Sequence, residues 1–328
     1  MFAKRLYRQL DYAKYLLGLR KSEHIFNFRE VPERISILIP DSLGDIAINS
    51  SITQYFKWRF PGVAITLITH PKYIKAGNFD PNYDFVLSYP SRYLRFEPWA
   101  LNYETQLKIA RELTPNMDRL YFCQPSAWCD HLVAKYPLFN LQNYLCKVPA
   151  KDRFMPKLIV PKMDEAQAKR FRSRLKGPVI LISREAYTAT FGSRVSDYWE
   201  RLINFCVNNK IIVLDNSRQC AIEHEHCLAV GEMPLAEIVA LAGLCDGVIA
   251  VRSGLSDLIG FSVQCHSYTI YPAGNYPFSQ MTFLKWCSLI DMGVEFATER
   301  QNSFMNSADV EAEFAHTANW LYSKSLIC

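Results

Sequence analysis

The sequence predicts an α/β protein made of two Rossmann-like, doubly wound halves in tandem. Three observations lead there. Short apolar runs alternate with helical stretches, as parallel βαβ units require. The chain's 328 residues are more than one core usually serves. A proline-bearing stretch from Pro149 to Pro178 separates one βα series from a second.

The elements follow in order. Residues 1–33 stand apart: Phe2, Leu6, Leu10, Ala13 and Leu17 recur at helical spacing. Lys4, Arg5, Arg8, Lys14, Arg20 and Lys21 flank that stripe, with Asp11 opposing them. Such a basic amphipathic helix either lies on an anionic membrane through residues 1–21 or packs on its own domain with a solvated charged face. Ile35–Ile39 reads as a buried strand, then the turn Asp41-Ser42-Leu43-Gly44-Asp45, then a helix that stops at Pro61-Gly62. Strands are predicted at Ala64–Thr69, Phe85–Ser88 and Arg119–Cys123. A charged helix over Asp164–Leu175 leads into the second half. There the strands are Val179–Ser183, Ile211–Asp215, Gly247–Val251 and Ser267–Tyr271, with helices near 196–208, 234–243 and 254–261. The domains are thus expected at 1–160 and 161–328.

Composition narrows the function. With 49% hydrophobic and 21% charged residues the chain is globular, not disordered. A net charge of +5 is too small to argue for nucleic acid. Ten cysteines without C-x-x-C spacing read as reduced, buried small hydrophobes of a cytoplasmic protein. His224-Glu225-His226 has no obvious third ligand and reads as a solvated loop, so no metal is expected. No apolar run reaches the roughly 20 residues of a membrane span, and the N-terminus lacks a signal-peptide pattern.

Ligands of open α/β sheets bind beyond the carboxyl ends of the strands, which directs attention to three loops. In the first, Gly44 permits a tight turn beside Ser42, and Asp45 enters the first helical turn. A carboxylate there is also what helix chemistry favours without any function. The second is Val251-Arg252-Ser253-Gly254-Leu255-Ser256-Asp257, which opens a helix. Its N–H groups suit an anion and Arg252 would add a fork for phosphate, although a capped helix has the same geometry. In the third, Arg184 and Arg194 bracket a polar segment after Ser183. They suit a diphosphate, or are two solvated loop arginines. G-x-G-x-x-G is absent after the first strand, which argues against a dehydrogenase.

These segments, in this order, resemble the bacterial heptosyltransferases, glycosyltransferase family 9. ISILIPDSLGDIAINSSITQYFKWRFPGVAITLIT is similar to the family's opening strand, S-x-G-D turn and helix ending near R-F-P. GEMPLAEIVALAGLCDGVIAVRSGLSDLIGF resembles its donor-binding helix, strand and D-T-G-L-S-H-L turn. The stretch Arg194-Val195-Ser196-Asp197-Tyr198-Trp199 is a looser match to its K-x-W-P region. The resemblance implies a GT-B architecture, two Rossmann-like domains facing a central cleft. It implies metal-independent, inverting transfer of a sugar from a nucleotide-sugar donor to a glycan or lipid-linked acceptor in lipopolysaccharide or capsule synthesis. It places Asp45 as general base, with Ser42 and Gly44 in the acceptor-side loop. On the donor side it places Arg194 at the phosphate-contacting lysine, Ser253, Gly254 and Leu255 at the diphosphate turn followed by Ser256, and Met233 against the base. Ser183 or Arg184 falls near the phosphates. Two positions depart: Arg252 stands where the family has Asp, and Asp257 where it has His. That swap points away from ADP-heptose toward another sugar nucleotide. An epimerase-like enzyme on the same scaffold and a non-catalytic glycan-assembly binding protein are the rival classes; no cofactor and no nucleic-acid partner are expected.

Overall fold

A computed structural model of the chain describes residues 31–40, 42–94, 103–123, 135–186, 191–217, 220–276 and 279–327. The expected N-terminal amphipathic helix and Asp41 lie outside these residues. The chain divides into two compact units. The first ends at Leu158 and takes in Tyr276–Met281; the second holds Ile159–Asn275 and continues from Thr282.

The first unit is built on four parallel strands, β1 (Arg34–Ile39), β2 (Ala64–Thr69), β3 (Phe85–Ser88) and β4 (Arg119–Phe122), in the order β3-β2-β1-β4. β1 sits between β2 and β4, so Ile35, Ile37, Leu38 and Ile39 are all fully buried. A strand flanked on both sides and covered on both faces reads as a nearly continuous apolar run, interrupted here only by Ser36, which is buried and donates to Thr114 Oγ1 at 3.0 Å. Helix α1 (Leu43–Arg59) follows β1 and is buried along most of its length, although it carries Asn49, Ser50, Ser51 and Thr53. The hydroxyls are satisfied within the helix: Ser50, Ser51 and Thr53 bond to the carbonyls of Ala47, Ile48 and Ser50 at 2.8–3.0 Å. Gly62, with φ of +87°, makes the turn into β2. Helices α2 (Ile74–Gly77), α3 (Tyr103–Leu113) and α4 (Leu138–Leu145) complete the described part.

The second unit begins with α5 (Lys162–Arg172) and is built on six parallel strands. These are β5 (Val179–Ser183), β6 (Ile212–Asp215), β7 (Cys227–Ala229), β8 (Gly247–Val251), β9 (Ser267–Pro272) and β10 (Ala297–Asn302), in the order β10-β9-β8-β5-β6-β7. Every residue of β5, β8 and β9 is buried. The helices are α6 (Val195–Asn208), α7 (Leu235–Ala242), α8 (Gly254–Ser262), α9 (Phe283–Cys287) and α10 (Ser307–Ser323). The core joins Trp199, Leu202 and Ile203 of α6 and Trp320 and Leu321 of α10 to the strands.

The α/β expectation holds, and the eight predicted strands lie within a residue of those observed. The charged helix runs Lys162–Arg172 rather than Asp164–Leu175. β7, β10 and α10 carried no assignment. The physical reason is position: β7 and β10 are the edges of the sheet. β10 reads ATERQN and is only half-buried throughout, so it lacks the apolar run of an interior strand.

Candidate functional site

In the first unit the carboxyl end of β1 leads to Ser42, the N-cap of α1. Its backbone sits at φ +83° and ψ 112°, a conformation that costs a non-glycine residue free energy. The Ser42 hydroxyl accepts from the Asp45 N–H at 3.4 Å. Gly44 and Asp45 are buried in the first turn, Asp45 only 7% exposed. The Asp45 carboxylate is held from another element: Gln142 of α4, fully buried, donates from Nε2 to Asp45 Oδ1 at 2.9 Å and lies 3.3 Å from its carbonyl. The amide N–H fixes the orientation of the carboxylate by a hydrogen bond. Nothing local in the sequence marks Gln142, which lies 97 residues away from its partner.

In the second unit the ends of β5, β6 and β8 lie side by side. Ser183, the last residue of β5, is buried and pairs with Ala250 of β8. Arg184 follows it and turns to the end of β6. There Nε donates to Asp215 Oδ1 and Oδ2 at 3.0 and 3.1 Å, and Nη2 reaches Ser217 Oγ at 3.0 Å. Arg194 caps α6 and pairs with Asp197 at 2.7 Å, both side chains half exposed. Its loop is pinned by Gly192 N–H to Ser303 O at 2.7 Å and Arg194 N–H to Phe304 O at 3.1 Å. Met233, half-buried, lies in the turn between β7 and α7, its N–H donating to Val230 O at 3.0 Å.

The turn after β8 has the most chemistry. Ser253 and Ser256 form a reciprocal capping box: Ser256 Oγ accepts from Ser253 N–H at 2.9 Å, and Ser253 Oγ from Ser256 N–H at 3.4 Å. Gly254 is half-buried and Leu255 buried in the first turn of α8. Arg252, read from the sequence as a fork for phosphate, also has partners within the fold. Its Nη2 lies 2.9 Å from Asp257 Oδ1, and Nε and Nη1 donate to the carbonyls of Cys287 and Ser253 at 3.3 and 3.0 Å. The two departures from the family pattern are therefore the two halves of one ion pair.

That pair is unevenly satisfied. Asp257 is fully buried, and neither carboxylate oxygen receives an aligned hydrogen bond; the 2.9 Å approach is an ion-pair contact alone. Burial pushes the Asp257 carboxyl up to about 7, only partly offset by Arg252. Burial also works against the Arg252 charge, but Asp257 and its other neighbours outweigh it and hold the guanidinium protonated. With no aligned hydrogen bond to either oxygen, Asp257 is the more poorly served member of the pair.

Among the described residues, Asp215, Cys220 and Cys227 bring ligand atoms within 4.8 Å of one another. Both Asp215 oxygens already accept from Arg184, and Oδ2 also from Ala221 N–H at 3.1 Å. His224 is exposed, its Nδ1 accepting from His226 N–H at 3.1 Å.

Two parallel sheets with these loops at their strand ends define the fold class of the GT-B glycosyltransferases. Among solved structures it resembles a glycosyl transferase of family 9 and bacterial heptosyltransferases. One is the family 9 glycosyl transferase from Veillonella parvula DSM 2008, with TM-score 0.60 and 13% identity, covering 88% of this chain and 91% of that one. Another is E. coli ADP-heptose lps heptosyltransferase II, with TM-score 0.60, 13% identity and coverage of 87% and 99%. A third is an E. coli heptosyltransferase with ADP, with TM-score 0.59, 12% identity and coverage of 87% and 99%. No family model matches the sequence, and no curated protein matches it. At this identity the likeness is one of fold.

Proposed function

We propose that the protein is a glycosyltransferase that moves a sugar from a nucleotide-sugar donor to a glycan or lipid-linked acceptor in cell-surface polysaccharide synthesis, lipopolysaccharide or capsule. The observation that carries this reading is Asp45, oriented by Gln142 at the carboxyl end of β1, in a fold shared with heptosyltransferases. In the reaction, Asp45 takes the proton of an acceptor hydroxyl as that oxygen attacks the anomeric carbon, and the nucleoside diphosphate leaves with the bonding electrons. Single displacement of this kind inverts the configuration. The N–H groups at the start of α8 receive the departing charge, with Arg252 beside them. Ser183, Arg184, Arg194 and Met233 belong to the donor side, where Arg184 and Arg194 would exchange a carboxylate partner for phosphate. No D-x-D motif follows a strand, so the reaction is written without a metal. Peripheral contact with an anionic membrane through residues 1–21 completes the proposal; among the described residues no helix is long and apolar enough to cross a membrane.

The test is a thermal-shift screen across ADP-, GDP-, UDP-, CMP- and dTDP-sugars. A donor at 100 times its Kd stabilises the native state by about 2.7 kcal/mol, so the right nucleotide stands out. With that donor, Asp45→Asn is expected to lose about 10²- to 10⁴-fold in transfer while keeping the donor-induced shift. If no sugar nucleotide raises the melting temperature, the transferase reading falls. Near-normal transfer by the variant would leave Asp45 a helix-capping residue.

A further inference from the structure

Cys123 and Cys146 are both buried in the core of the first unit, and their sulfurs lie 3.1 Å apart. Cys123 directly follows β4, and its N–H extends the ladder to Leu38 O at 3.2 Å. Cys146 caps α4, its N–H donating to Gln142 O at 3.1 Å. The chain then leaves through Lys147 at φ +56°, with Val148 N–H bound to Asn143 O at 2.9 Å. Both cysteines are thus fixed by main-chain hydrogen bonds on elements that already pack together. Bringing two sulfurs from contact to bonding distance needs a closure of roughly 1 Å.

We propose that Cys123 and Cys146 are a reversible redox modification site, closing to a disulfide that ties α4 to the end of β4. The oxidant is a small-molecule disulfide. One cysteine, as thiolate, attacks a sulfur of the oxidant, forming a mixed disulfide and releasing one reduced thiol. The second cysteine gives up its proton and attacks the protein sulfur of that mixed disulfide. The Cys123–Cys146 bond forms and a second reduced thiol leaves, so two protein thiols are oxidised as one external disulfide is reduced. The bond closes one helical turn from Gln142, so it tethers the helix that holds Asp45. The proposal stands independently of the transferase reading.

Burial pushes the Cys146 thiol well above its ordinary range, helped by Cys123, so exchange in the folded protein is slow. The experiment therefore refolds the full chain in a mixture of reduced and oxidised glutathione, blocks residual thiols with iodoacetamide and maps peptides without reduction. The expected result is a peptide pair joined through Cys123 and Cys146. The oxidised protein should melt about 5–10 °C above the same sample after reduction, the effect of closing a loop of this length. Cys123→Ala and Cys146→Ala should each abolish the reduction-dependent difference. Both cysteines recovered as blocked thiols, Cys123 joined to another cysteine, or a shift that survives in Cys146→Ala would each overturn the proposal.

Discussion

Replacing Asp257 by Asn should stabilise the second unit at neutral pH, although it removes one member of a buried ion pair. The usual expectation is the opposite, since breaking such a pair costs about 3–5 kcal/mol. Here the carboxylate is fully buried, touches Arg252 at 2.9 Å and receives no aligned hydrogen bond. Its value stands at about 7 against an ordinary 3.8. A raised value means that the folded state holds the proton more tightly than the unfolded chain. The residue's contribution is therefore fully favourable below about pH 4 and is lost progressively as pH rises toward 7. The loss is about 1.4 kcal/mol per pH unit between the ordinary carboxyl range and about 7, a few kcal/mol in all. Asn resembles the protonated acid in shape, still offers Arg252 an oxygen, and does not titrate. Urea unfolding of both proteins at pH 5 and pH 8 is the assay. At pH 8 the variant should be more stable by a few kcal/mol, and at pH 5 the gap should shrink to about a third. A variant less stable than wild type at pH 8, or a gap independent of pH, would refute the argument that burial outweighs the Arg252 attraction.

Two further outcomes are expected. Gly192→Ala would press a Cβ into the backbone carbonyl of Phe304; it should cost about 1–3 kcal/mol in urea unfolding, and a neutral effect would mean that the loop before α6 is not pinned to Ser303 and Phe304. Deleting residues 1–21 should reduce sedimentation with anionic liposomes, which for the full chain should itself weaken with added salt; unchanged sedimentation by a folded truncation would favour a helix that packs on its own domain.

The sequence by itself determined the interior of both sheets and the location of the loops that matter. β1, β5 and β8 are buried almost throughout, and burial on both faces favours the mostly apolar runs ISILI, VILIS and GVIAV that mark them in the chain. The turns after β1 and β8 were legible for a similar reason, since Asp45 and Ser253 sit where helix starts demand acceptors. The edge strands were not legible, because half-buried residues such as those of ATERQN need no hydrophobic pattern. Partners were the larger gap. The likeness to a family showed Arg252 and Asp257 as two separate departures, yet only the fold shows them to be one contact. Gln142 reaches Asp45 from 97 residues away, and Arg184 finds Asp215 across 31 residues. Hydrogen bonds and ion pairs act over a few ångströms of space and carry no mark along the chain, so which carboxylate serves which partner was decided by the tertiary structure alone.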